Sequence, residues 1–158
     1  MSPASWRAGA TAVFAILLGN GAVAGAAHAA ESLYARMGGA PIVDAVVSDT
    51  LDRVIADPRL KRSFEDVNIA RIKRLLAEQI CDLAGGGCKY SGDPMRGVHA
   101  GHHISEAEFY GLVQILRDSM RRHHVRLRER NELLALLAPM KRDVVDETAM
   151  APPRKTGG

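Results

Sequence analysis

Residues 68–87 read NIARIKRLLAEQICDLAGGG, and this stretch sets the class of fold. Asn68 suits an N-cap, because its side-chain oxygen can accept from an orphan N–H of the first turn. Ile69, Ile72, Leu76, Ile80 and Leu83 follow at three- and four-residue steps, the spacing of one stripe on an α-helix. Gly85-Gly86-Gly87 ends the helix, since glycine gives up more backbone entropy there than any other residue. The spacing predicts a helix running to about residue 84.

The same period continues outward in both directions. Upstream, Gly38-Gly39 breaks a short helix over 33–37, and Pro41 opens a longer one to residue 56. Its apolar face is Val43, Val46, Val47, Leu51, Val54 and Ile55, and Asp57-Pro58 stops it. Phe64 sits in the link to the central helix. Downstream, a loop poor in apolar residues runs to Asp93, and Pro94 opens a short helical piece to about residue 100. Ser105 and Glu108 have capping-box spacing and start a helix with Phe109, Leu112, Val113, Leu116 and Met120 inward. A last helix over 126–146 places Leu127, Leu133, Leu134, Leu137, Met140 and Val144 inward, with Pro139 kinking it. No alternating run long enough for a sheet interrupts this pattern, so the class is all-α.

The 158 residues are 47% hydrophobic and 25% charged, with a net charge of +3, which fits one globular domain and excludes low-complexity disorder. So small a charge gives no footprint for nucleic acid. Residues 1–30 carry Arg7, an apolar core over 10–18 and a closing Ala27-His28-Ala29, which is the pattern of a secretory signal peptide cleaved after Ala29 or Ala30. An uncleaved anchor is the weaker reading, because Gly19, Asn20 and Gly21 cut the apolar run short of a membrane span. The expected product is exported, to a periplasm, without stable membrane insertion. The expected domain covers 31–148, and the polar tail 149–158 is expected to be disordered.

The residues that could carry chemistry are few. His99 follows Val98 in the short piece after the loop; a lone histidine is more often a surface or satisfied core residue than a ligand. His99 and His103 have metal spacing but no third ligand nearby. Cys81 and Cys88 flank the glycine run, which lets the chain fold back, so a structural disulfide is favoured over a redox dithiol. There is no C-x-x-C-H for haem attachment, no G-x-S-x-G and no phosphate-binding glycine loop. The arginines over 117–130 lack interleaved aromatics and read as a solvated face.

Taken in order, these landmarks resemble the truncated haemoglobins of group I. Leu33-Tyr34 with Met37-Gly38-Gly39 is similar to the family's opening, and residues 53–60, RVIADPRL, followed by Phe64, are similar to its next motif. Gly85-Gly86, Tyr90-Ser91-Gly92, Pro94-Met95 and Val98-His99 complete the pattern. The resemblance implies a two-over-two helical sandwich around non-covalent haem b, iron protoporphyrin IX. It implies His99 as the proximal iron ligand and Phe64 packed on the porphyrin. Ile72 and Leu76 would face the bound ligand, and Ile104, Phe109 and Leu137 would complete the apolar wall. Lys73, Tyr90 and His102 are the candidates for the haem propionates.

One departure matters. Many group I members carry a tyrosine on the second helix and a glutamine on the distal helix that hydrogen-bond the gas. Here Leu51 and Leu76 stand at those places, and Gln79, one turn on, is the remaining donor. The implied function is binding of a diatomic gas, oxygen, nitric oxide or carbon monoxide. The alternatives are a periplasmic haem protein that handles nitric oxide or peroxide with an electron donor, acting as a dioxygenase or peroxidase, and a haem-free helical interaction module.

Overall fold

Three polar side chains cap helix starts, Asn68 and Ser105 as the sequence leads one to expect and Ser32 besides. The Ser32 hydroxyl accepts from the N–H of Ala35 at 3.2 Å, Asn68 Oδ1 from that of Arg71 at 2.9 Å, and Ser105 Oγ from that of Glu108 at 3.2 Å. The computed structural model describes residues 31–146; the leader expected over 1–30 and the tail expected from 149 lie outside them. The helices are α1 (Leu33–Arg36), α2 (Gly39–Ala56), α3 (Ile69–Leu83), α4 (Met95–His99), α5 (Glu106–Arg122), α6 (Leu127–Leu137) and α7 (Lys141–Val144). Single 3-10 turns cover Lys61–Phe64 and Ala138–Met140, and no strand occurs among the described residues.

Val43, Val46, Val47, Leu51 and Val54 form a fully buried stripe along α2. That stripe meets Ile80 of α3, Leu116 and Met120 of α5 and Leu133 of α6, so α2 joins the pair α2/α3 to the pair α5/α6. This is the two-over-two arrangement. Gly38, at φ +106°, turns the chain from α1 into α2 in a conformation that L side chains rarely adopt. Gly86 is squeezed from two sides: a Cβ there would lie 2.6 Å from both Cys81 Sγ and Tyr34 Cδ1. Cys81 and Cys88 are bonded, with Cα atoms 5.6 Å apart, and tie the end of α3 to the loop that follows.

The structure corrects three details of the periodicity. Ile55 is 37% exposed and Leu127 63% exposed, although both fall on the expected inner faces. Leu127 is displaced because Glu129, two residues on, is the buried group at the start of α6. The Glu129 carboxylate accepts from Arg126 at 2.8 Å and from Arg36 at 3.4 Å, joining α6 to α1. Pro139 does more than kink the last helix. With no N–H to donate, it ends α6 and starts the 3-10 turn that leads into α7. On α5 the apolar face divides along its length. Leu116 and Met120 are core, whereas Phe109, Leu112 and Val113 are partly buried and face a cavity.

Two stability predictions follow from these contacts. Reducing the Cys81–Cys88 bond should lower unfolding stability by about 2–3 kcal/mol, the loop-closure entropy of so short a loop. Thermal melts with and without reductant check this, and two free thiols in the non-reduced protein would refute it. Glu108 gives a pH dependence. Burial pushes its carboxyl up, but the Ser105 N–H and hydroxyl, Arg62 and Ser63 outweigh this and hold it below the ordinary value. Its contribution is therefore present above the unfolded carboxyl value of about 4.3 and lost as pH falls through the lower folded value. Glu108→Gln should be less stable than the parent at pH 7, with the gap closing in denaturation at pH 3.

Candidate functional site

The two helix pairs do not meet along their whole length. Between them lies a cavity of about 740 Å³, within the size range of small-molecule and cofactor sites. Leu51 of α2, Ile72 and Leu76 of α3, and Phe109 of α5 supply hydrocarbon walls, and Phe64 enters from the first 3-10 turn. Helix α4 packs on α7, which places its histidine on the cavity.

His99 is the chemically distinctive member of this lining. Its Nδ1 lies 2.7 Å from the carbonyl oxygen of Met95, one turn earlier on α4. A carbonyl can only accept, so Nδ1 is the donor in this contact, and in the neutral ring Nε2 is the nitrogen with a lone pair. This is the arrangement that orients a metal-ligating imidazole through its other ring nitrogen. Among the described residues no group of three or more His, Cys, Asp or Glu side chains could hold a metal ion. His103 is instead turned to Asp146, at 2.9 Å. A metal held here would need most of its ligands from a prosthetic group.

One group of polar lining residues, Asn68, Arg71, Tyr90 and Asp93, lies at an opening between α3 and the loop before α4, where Asn68, Arg71 and Asp93 are exposed. The Tyr90 hydroxyl donates to the carbonyl oxygen of Asp93 at 3.3 Å. Burial, with the Asp93 charge adding to it, raises the Tyr90 phenol above its usual value, so it stays a donor at neutral pH. The loop carrying Tyr90 is held to α3 by several links. They include the Cys81–Cys88 bond, Asp82 accepting from the Tyr90 N–H at 3.1 Å, and Glu78 accepting from the Ser91 hydroxyl at 2.5 Å.

Most site residues singled out in the sequence come together here: Leu51, Phe64, Ile72, Leu76, Gln79, Tyr90, His99, His102, Ile104, Phe109 and Leu137 all line the cavity. Lys73 does not. Its ammonium lies 2.7 Å from Asp52 Oδ1 and 2.9 Å from Ser48 Oγ, which ties α3 to α2 and turns the charge away from the opening. Arg71 stands at the opening instead, unforeseen in the sequence. Arg71 and Lys73 flank Ile72 on opposite sides of the helix, and the sequence does not say which side α2 covers. Met95 and Met140, also unforeseen, line the cavity as well. Gln79 is nearly buried, and its Nε2 donates to Met140 Sδ at 3.4 Å.

The comparisons with known proteins agree with this geometry. Residues 32–146 match the family model described as bacterial-like globin. The chain is 31% identical over 113 residues to the group 1 truncated hemoglobin GlbN of Mycolicibacterium paratuberculosis, covering 72% of this chain and 83% of that one. It is 35% identical over 69 residues to the group 1 truncated hemoglobin GlbN of Synechocystis, covering 44% and 56%. In fold it is similar to truncated hemoglobin from Tetrahymena pyriformis in its Fe(III) form, with a TM-score of 0.70 at 21% identity, covering 74% of this chain and all of that one. The 2/2 hemoglobin from Synechococcus, in the cyanomet state with covalently attached heme, gives a TM-score of 0.68 at 24% identity over 73% and 98%. By family and by fold, the chain belongs to the bacterial-like globins, as a truncated haemoglobin of group I.

Proposed function

We propose that the cavity holds one haem b without a covalent link, that His99 Nε2 is its proximal ligand, and that the site binds a diatomic gas. The observation that carries this reading is the His99 imidazole, fixed through Nδ1 to the Met95 carbonyl and set against an apolar cavity of about 740 Å³. The globin family implies the haem itself. When bound, the haem iron supplies an open coordination position for oxygen, nitric oxide or carbon monoxide.

The chain's own residues do the rest. His99 is held through Nδ1 by the Met95 carbonyl, which leaves Nε2 as the ring nitrogen that would meet the iron. Phe64, Ile104 and Phe109 supply apolar surface for the macrocycle and keep water from the metal side. Arg71 and Tyr90 at the opening suit the two propionates, one as a cation and the other as a hydroxyl donor. Leu51, Ile72 and Leu76 carry no proton donor, so they favour reversible binding over a peroxide reaction that would need general acid help. The leader-like composition of residues 1–30 supports export to a periplasm, which N-terminal sequencing of the product from a periplasmic fraction tests.

Absorption spectra of the haem-reconstituted protein, taken ferric, ferrous and with carbon monoxide, test the main reading. A Soret band that shifts with carbon monoxide is expected, with ferrous iron five-coordinate before the gas is added. His99→Ala should retain haem poorly or shift the spectrum strongly; an unchanged Soret band and unchanged gas binding would overturn the proximal assignment. The opening gives a separate prediction. Arg71→Ala should release haem to an acceptor protein up to about fivefold faster, the worth of an exposed ion pair, while Lys73→Ala should leave that rate unchanged. Equal effects of the two variants would place the propionates elsewhere.

A further inference from the structure

Gln79 is the buried polar side chain that α3 sets among the hydrocarbon of the cavity wall. It stands one helical turn beyond Leu76, on the stripe that also carries Ile72, and its side chain is nearly buried. A buried carboxamide has two N–H donors and needs partners for them. Among the described residues its partner is Met140 Sδ, at 3.4 Å. Met140 arrives there because Pro139 ends α6 and the chain enters the 3-10 turn Ala138–Met140. A thioether is a weak acceptor, so this contact orients the amide without holding it strongly.

We infer that Met140 is a positioning residue for gas selectivity: it draws the Gln79 carboxamide toward the α6–α7 end of the cavity and leaves the ligand position without a donor. The inference rests on the haem reading above and names the class of gas that the site prefers. Oxygen draws electron density from ferrous iron and gains from a nearby donor, whereas carbon monoxide stays almost non-polar and gains little. A hydrogen bond to a charged acceptor changes a binding equilibrium by about ten- to a hundredfold. With Leu51, Ile72 and Leu76 offering only hydrocarbon and Gln79 turned to sulfur, the site favours a non-polar diatomic over oxygen.

A double-mutant cycle on the haem-loaded protein tests this, using Gln79→Leu, Met140→Leu and the pair. The readouts are the stopped-flow rate of oxygen release and the infrared C–O stretch of the carbon monoxide form, which falls when a donor approaches the gas. Gln79→Leu alone should leave both within about twofold of the parent, because the amide is already turned away. Met140→Leu should free the amide, slow oxygen release about tenfold and lower the C–O stretch, and the double variant should restore parent behaviour. Faster oxygen release or a higher stretch in Gln79→Leu would show that the amide already serves the gas. No change in Met140→Leu, or a change that survives in the double variant, would equally overturn the role of the thioether. If Met140→Leu fails to fold, the Gln79→Leu arm still decides whether the amide is turned away. A parent protein that takes up no haem and shows no Soret band is a different result, and sinks the haem reading itself.

Discussion

Burial of the α2 stripe is the interaction on which the other features depend. Val43, Val46, Val47, Leu51 and Val54 are removed from water almost completely. Each such side chain contributes about 1.5–3 kcal/mol as an upper estimate. The stripe touches α3 on one side and α5 on the other, so one helix fixes the spacing of both pairs. With that spacing set, the walls of the cavity cannot close on each other. An occupant bound to the folded state alone stabilises that state by mass action.

The polar contacts are arranged around that constraint. Lys73 with Asp52, and Tyr34 N–H with Ala84 O at 2.9 Å, fasten α3 to its neighbours outside the cavity. Arg62 reaches Glu108 at 2.7 Å and the carbonyl oxygens of His102 and His103, so it braces the chain between α4 and α5. Arg96 of α4 meets Asp143 of α7 at 2.9 Å, and Lys141 meets Glu106. Most of these pairs are partly exposed and individually weak. Their shared effect is geometric: they keep a helix of five residues, too short to be stable alone, in place beneath the imidazole.

The chemistry of the cavity divides by position. The opening has Arg71, Tyr90 and Asn68, groups that can meet an anion and water. Leu51, Phe64, Ile72, Leu76, Ile104 and Phe109 line the interior with hydrocarbon, and His99, Gln79 and two thioethers stand among them. A group carrying a charged edge and an apolar body fits such a division, because the charged edge stays near water and the rest gains from burial.

Local signals in the chain determined the helices and much of the site. Asn68, Ser105 and Pro94 begin helices through backbone chemistry that needs no distant partner, and the glycine run after α3 ends one in the same way. His99, Phe64 and Tyr90 were legible because they occur in a recognisable order along the chain. What periodicity could not supply was the phase of each helix against its neighbours. Lys73 and Arg71 flank Ile72 equally in the sequence, and packing of α3 on α2 sent Lys73 to Asp52 and left Arg71 at the opening. Likewise, Leu127 and Glu129 exchanged places because Arg36 and Arg126 converge on Glu129. The Gln79–Met140 contact joins residues 61 positions apart. Such partners are chosen by the tertiary structure, since a side chain's nearest neighbour across a cavity depends on where every other helix stops.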